Sequence, residues 1–112
     1  MQTDHTVDFI RRHRDGPFYV RLFPNDVHDR HVPRPGSADK YKSVSDDPYV
    51  RDFFAVLEEM DKQIGRVIAT IDELDLGKKT LVLFTSDNGP TDWPKKYTTG
   101  PPAGFTGPYR GR

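Results

Sequence analysis

The chain has 112 residues, enough for one small domain with a modest core. Lysine and arginine number 17, as do aspartate and glutamate, so the formal net charge is zero and no field favours nucleic acid. No apolar run approaches the ~18–20 residues of a membrane span, and the absence of cysteine excludes disulfides, thiolate zinc sites and a cysteine nucleophile.

The first residues, "MQTDHTVDFIRRHRDG", lack the apolar stretch of a signal peptide. Asp8 to Arg12 read as the last turns of a short helix stopped by "RDGP" at 14–17. The next segment, "FYVRLFP", is aromatic and β-branched and is closed by Pro24, which predicts a strand over 18–23. Residues 24–47 are rich in Pro, Asp and Ser and have no periodicity. A loop of that length inside a compact domain is usually functional or disordered.

The clearest local signal begins at Asp47-Pro48, an N-cap followed by a first-turn proline. Val50, Phe53, Leu57, Met60, Ile64, Val67, Ile71 and Leu74 then recur at steps of three and four, with Phe54 and Ile68 widening the stripe. Arg51, Asp52, Glu58, Glu59, Lys62 and Arg66 lie opposite. The spacing predicts an amphipathic helix over 48–75, ended near Gly77 by a glycine stop. A coiled coil is the alternative, but strand signals on both sides favour packing against a sheet. Gly65 inside the helix predicts close packing against a neighbour, since an interior glycine costs about 1 kcal/mol. Asp61, one turn earlier on the stripe's border, is read as a structural hydrogen-bond acceptor, or else as a solvated charge.

"TLVLFTSDNGP", 80–90, follows. Its apolar run predicts a strand over 80–86, and its polar end presents Asp87 and Asn88. Strand, helix, strand in that order predicts an α/β fold with a right-handed crossover and parallel strands, not necessarily adjacent. Ligands of parallel α/β sheets bind beyond the carboxyl ends of the strands. "PNDVHDRH" follows the first strand and "TSDNG" the second, so His28 and Asp87 are expected at one edge. Asn-Gly is also a hairpin turn, but no alternating strand follows it, and a plain solvated turn stays open. The functional reading is a hard-cation site, because carboxylate and amide oxygens suit Ca²⁺ or Mg²⁺. For "NDVHDRH" the readings are a solvated polar loop, a weak His28/His31 zinc pair, or one imidazole that contacts an anion or moves a proton.

"PFYVRLFPNDVHDRHVP", "FFAVLEEMDKQIGRVIATIDELDLGKKTLVLFTSDNGP" and "GPYRGR" resemble, in this order, the formylglycine-dependent sulfatases of the alkaline phosphatase superfamily. The resemblance runs from about Asp8 to Arg112, and "EEMDKQIGR" followed by "TLVLFTSDNG" is its most specific part. It implies a fragment of a three-layer α/β/α alkaline-phosphatase-like fold with a mostly parallel sheet, and a partial catalytic domain over 1–112 with an active-site loop at 87–112. Asp87 and Asn88 match the family's calcium ligands, with Ca²⁺ expected over Mg²⁺. His28 matches the active-site histidine of an "N-x-P-H-x-P" motif, although Val27 stands where the motif has proline; His31 is the alternative.

No Cys/Ser-x-Pro/Ala-x-Arg motif for the formylglycine nucleophile occurs, nor do the family's N-terminal Asp-Asp ligands. The chain is therefore expected to be an internal piece, inactive alone, with formylglycine in a missing upstream segment. The substrate implied is a small-molecule or glycan sulfate ester, with no nucleic acid and no membrane span. A periplasmic or secreted location is expected for full-length members. A phosphomonoester or phosphodiester hydrolase of the same superfamily, and a stand-alone non-catalytic binding module, stay open.

Overall fold

The computed structural model describes residues 2–28, 30–90, 104 and 107–108. Two helices dominate them: α1, Gln2–His13, and α2, Pro48–Glu73, with 3-10 turns at Asp39–Tyr41 and Gly77–Lys79. The chain divides into two compact units, Met1–Val27 with Leu57–Leu83, and His28–Val56 with Phe84–Arg112.

In the first unit, α1 buries Thr3, Thr6, Val7 and Ile10, the i, i+3, i+4, i+7 face of an amphipathic helix. Asp4 in its first turn and Arg11, Arg12 and His13 in its last suit the helix dipole. Ile10, the most completely enclosed side chain, meets Ile71 and Leu76, and Phe18, Val20, Val67 and Leu74 pack around them. Burying a side chain such as Ile10 stabilises by roughly 1.5–3 kcal/mol. Two cross-links fix the register: Arg66 donates to Asp4 at 2.6 Å and Arg11 to Glu73 at 3.3 Å. Both join residues 62 apart in sequence. The α1 helix and the second half of α2 therefore run side by side in the same direction.

The α2 helix does not end on Gly77. Asp75 takes the left-handed conformation at φ 53°, its N–H bonds the Asp72 carbonyl, and the Leu76 N–H reaches back to Ile71 at 2.9 Å. This is a Schellman stop, and the Leu76–Ile71 contact in the core is the apolar partnership that accompanies one. Gly77 instead opens the following 3-10 turn.

In the second unit, Asp47 caps α2 as its sequence indicates: the Asp47 carboxylate accepts from the Tyr49 N–H at 2.9 Å. Ala55 and Val56 are its buried apolar residues. The long loop is built from short turns, among them Asp39–Tyr41, where Lys42 pairs with Asp39 at 2.7 Å and lowers the Asp39 carboxyl below its ordinary range.

The strands expected over 18–23 and 80–86 are not formed among the described residues. A strand exists by pairing, and neither segment meets a backbone ladder. Residues 18–23 nevertheless keep the pleat: Phe18, Val20 and Leu22 are half-buried while Tyr19, Arg21 and Phe23 are exposed. Residues 81–84 lack even one covered face; Leu81 is 83% exposed, Leu83 82% and Phe84 74%. Gly65 also departs from expectation. It is exposed, and nothing lies within 4 Å of where a Cβ would stand. Asp61 is exposed as well.

Candidate functional site

His28, Asp87 and Asn88 all belong to the second unit. His28 stands exposed at a bend just beyond the first extended segment. Asp87 and Asn88 form a bend directly after the apolar run, and both are exposed. The Ser86 hydroxyl donates to the Asn88 carbonyl at 2.5 Å, and the Asn88 amide nitrogen donates to the Gly89 carbonyl at 2.8 Å. The Asn88 side-chain NH₂ is thus engaged locally, and its oxygen is the neutral acceptor the side chain still offers next in sequence to the Asp87 carboxylate.

These donors are of the kind a hard cation takes, one charged oxygen and one neutral. Calcium takes six to eight oxygens, and among the described residues no group of three or more His, Asp or Glu is placed to hold a metal. The residues thus fit calcium in chemistry, and two of them could make only part of a coordination shell. The expected active-site loop 87–112 lies outside the described residues from 91 to 103, as does Asp29 beside His28.

His31 is placed differently from His28. Its ring is half-buried against α2, with centroids 4.9 Å from Tyr49 and 5.3 Å from Phe53. Phe53 continues to Phe54 at 5.8 Å, and Phe54 to Tyr41 at 5.5 Å.

Hydrophobic periodicity missed a polar line along α2 in the first unit. Gln63 and Thr70 are buried, on the side next to the apolar stripe. Gln63 donates to Glu59 at 2.7 Å and accepts from Arg66 at 2.8 Å, while the Thr70 hydroxyl donates to the Arg66 carbonyl at 2.9 Å. Each is satisfied within its own helix, which is why burial is tolerated. Their i, i+7 spacing was the available signal. In the same unit, a cleft of about 300 Å³ is lined by Gln2, Thr3, Leu22, Pro24, Asn25, Asp26 and Gln63. It opens where the first extended segment ends, and its lining offers amide, hydroxyl and carboxylate groups.

The profile of the Sulfatase family matches residues 2–109. The chain belongs to the sulfatase family. Mouse steryl-sulfatase is 40% identical over 88 residues, 77% of this chain and 13% of that protein. The N-acetylgalactosamine-6-O-sulfatase of Bacteroides thetaiotaomicron is 34% identical over 88 residues, 79% of this chain and 16% of its own length. Dog arylsulfatase H is 40% identical over 81 residues, 72% of this chain and 13% of the relative. The chain therefore spans only a small part of the curated relatives it matches. No solved structure matches it significantly. Membership implies an alkaline-phosphatase-like fold, of which the described residues show the helices. Among them no helix is long and apolar enough to cross a membrane.

Proposed function

We propose that this chain is part of the catalytic domain of a sulfuric ester hydrolase, to which it contributes two calcium ligands, Asp87 and Asn88, and one active-site histidine, His28. The family match along nearly the whole chain carries the reading. The extended segments 18–23 and 80–86 are then strands of a mostly parallel sheet, completed by neighbours from elsewhere in the enzyme. Asp87 and Asn88 would hold Ca²⁺, which supplies a Lewis acid for sulfate oxygens when bound. Within the chain, Asp87 offers the charged oxygen, Asn88 limits the crowding of carboxylates, and Gly89 lets the backbone turn away from them at once. His28 meets the substrate's sulfate or the leaving oxygen, donating a proton or a hydrogen bond there. The sequence holds no nucleophile motif, so the segment alone is expected to be inactive.

The relatives named for sterol and amino-sugar sulfates differ widely in the alcohol, so the proposed substrate is a sulfate ester on a small molecule or a glycan. The test is made on the reading frame that carries this chain, assayed with an aryl sulfate and an aryl phosphate. Asp87→Ala should lose both calcium and turnover. His28→Ala should keep calcium and lose rate by roughly 10²–10⁴-fold, the usual worth of a proton-transfer group. Turnover of the phosphate in place of the sulfate would move the chain to the phosphoesterases of the superfamily. Unchanged calcium binding in Asp87→Ala would return Asp87 and Asn88 to a surface turn.

A further inference from the structure

Of the two histidines in "NDVHDRH", one is exposed and the other is packed. His31 sits against Tyr49 and Phe53, which are four residues apart and therefore on one face of α2. Those two rings stand in the first turns of the helix, where Asp47 caps it and Pro48 sets its start. The backbone beneath them is thus fixed. Further along the loop, Tyr41 rests on Phe54 of the same helix. The loop is therefore fastened to α2 at two points by aromatic contacts, and His31 is the one nearer His28 in the sequence.

We infer that His31 is a positioning residue: its ring docks the loop on the first turns of α2 and thereby fixes where His28 stands. The inference rests on the proposed role of His28. Its physical basis is tether length. Three residues of chain reach at most about 10–11 Å, so an anchored His31 confines His28 to a small volume near the start of α2. A free loop running from Pro24 to Asp47 imposes no such limit. Offset and tilted aromatic packing is satisfied by shape and ring quadrupole. A benzene ring can therefore replace the imidazole in this role, whereas it cannot replace an imidazole that moves protons.

The experiment follows the histidine ring ¹H–¹³C signals of the whole protein encoded by the reading frame that carries this chain, with histidine selectively labelled and each signal assigned by substitution. His31 ring protons are expected upfield, under the ring currents of Tyr49 and Phe53. His31→Ala should displace the His28 signals, and His31→Phe should restore them. Tyr49→Leu removes one wall of the anchor without touching the loop; it should shift His31 downfield and move His28 too, with helical ellipticity retained. His28 signals that ignore His31→Ala or Tyr49→Leu overturn the inference, as does His31→Phe behaving like His31→Ala. Inorganic sulfate, added in a separate arm, tests the reading beneath it. A response at His28 supports that reading, and a response at His31 overturns the positioning role. Silence at both rings removes the proposed role of His28 while the anchoring results stand on their own.

Discussion

Two residues do work that their identity alone did not announce. Asp75 ends α2 in the left-handed region, where a Cβ crowds the backbone and glycine does not. Aspartate tolerates that region better than most residues, which keeps the strain modest. Asp75→Gly should therefore raise the melting midpoint of the helical signal, by about 0.5–1 kcal/mol where the gain can be converted. A midpoint that falls would show that the Asp75 side chain has a partner worth more than the strain. Asp4 is the second. Its carboxyl is lowered from the ordinary 3.8 to about 2, and the hydrogen bond from Arg66 is the largest cause. A carboxyl depressed on folding lends stability above its unfolded pKa and loses it as pH falls through the folded one. The Asp4 contribution should accordingly be whole above about pH 4 and fade between 3.8 and about 2. Subtracting the acid titration of Asp4→Asn, read by helical ellipticity, from that of the wild type should leave a difference confined to this window. Salt should shrink the difference, because the pair is exposed.

At the scale of elements, the expected helices are formed and the expected strands stand unpaired among the described residues, for one physical reason. A helix closes its hydrogen bonds within its own segment, so a cap, a first-turn proline and a 3.6-residue rhythm suffice to specify α2. A strand closes its bonds with a neighbour. "FYVRLF" and "TLVLF" carry the right side chains, and the first even holds the pleat, but pairing information lies outside both segments. The neighbour expected at Gly65 is likewise not among the described residues, and nothing lies within 4 Å of where its Cβ would stand. At the candidate site the sequence offers residue types and no geometry: Asp87 and Asn88 lie just past an apolar run, and a calcium shell would need further oxygens from other segments. The exposed run Leu81–Phe84 has high β-propensity, no charge and no proline, the composition of an aggregating edge. L81K/L83K should raise the soluble fraction of the isolated chain several-fold while leaving helical ellipticity unchanged. Equal precipitation of wild type and variant, followed by light scattering, would remove the run as the cause.

For the whole molecule the question is whether 112 residues with this interior fold cooperatively. Only six apolar side chains are buried among the described residues: Val7, Ile10, Ile71 and Leu76 in one unit, Ala55 and Val56 in the other. Ordering the backbone costs roughly 1–2 kcal/mol per residue, and a small buried core offsets little of it. The first unit has the better balance, with a three-residue centre, four flanking side chains and two inter-helix ion pairs. The second holds its loop through aromatic contacts and a capped helix start, with fewer enclosed groups. The isolated chain should therefore unfold in urea over a broad range, with a slope below the ~1 kcal/mol/M at the low end for small cooperative proteins. Far-UV ellipticity should outlast near-UV ellipticity, because the local bonds of α2 survive loss of side-chain packing. Exposed Leu81, Leu83 and Phe84 should bind an apolar dye before denaturant is added. A sharp transition, coincident by both ellipticities and shown by a dye-silent monomer, would mean that the chain is complete in itself. The stand-alone binding module would then be the better reading of its function.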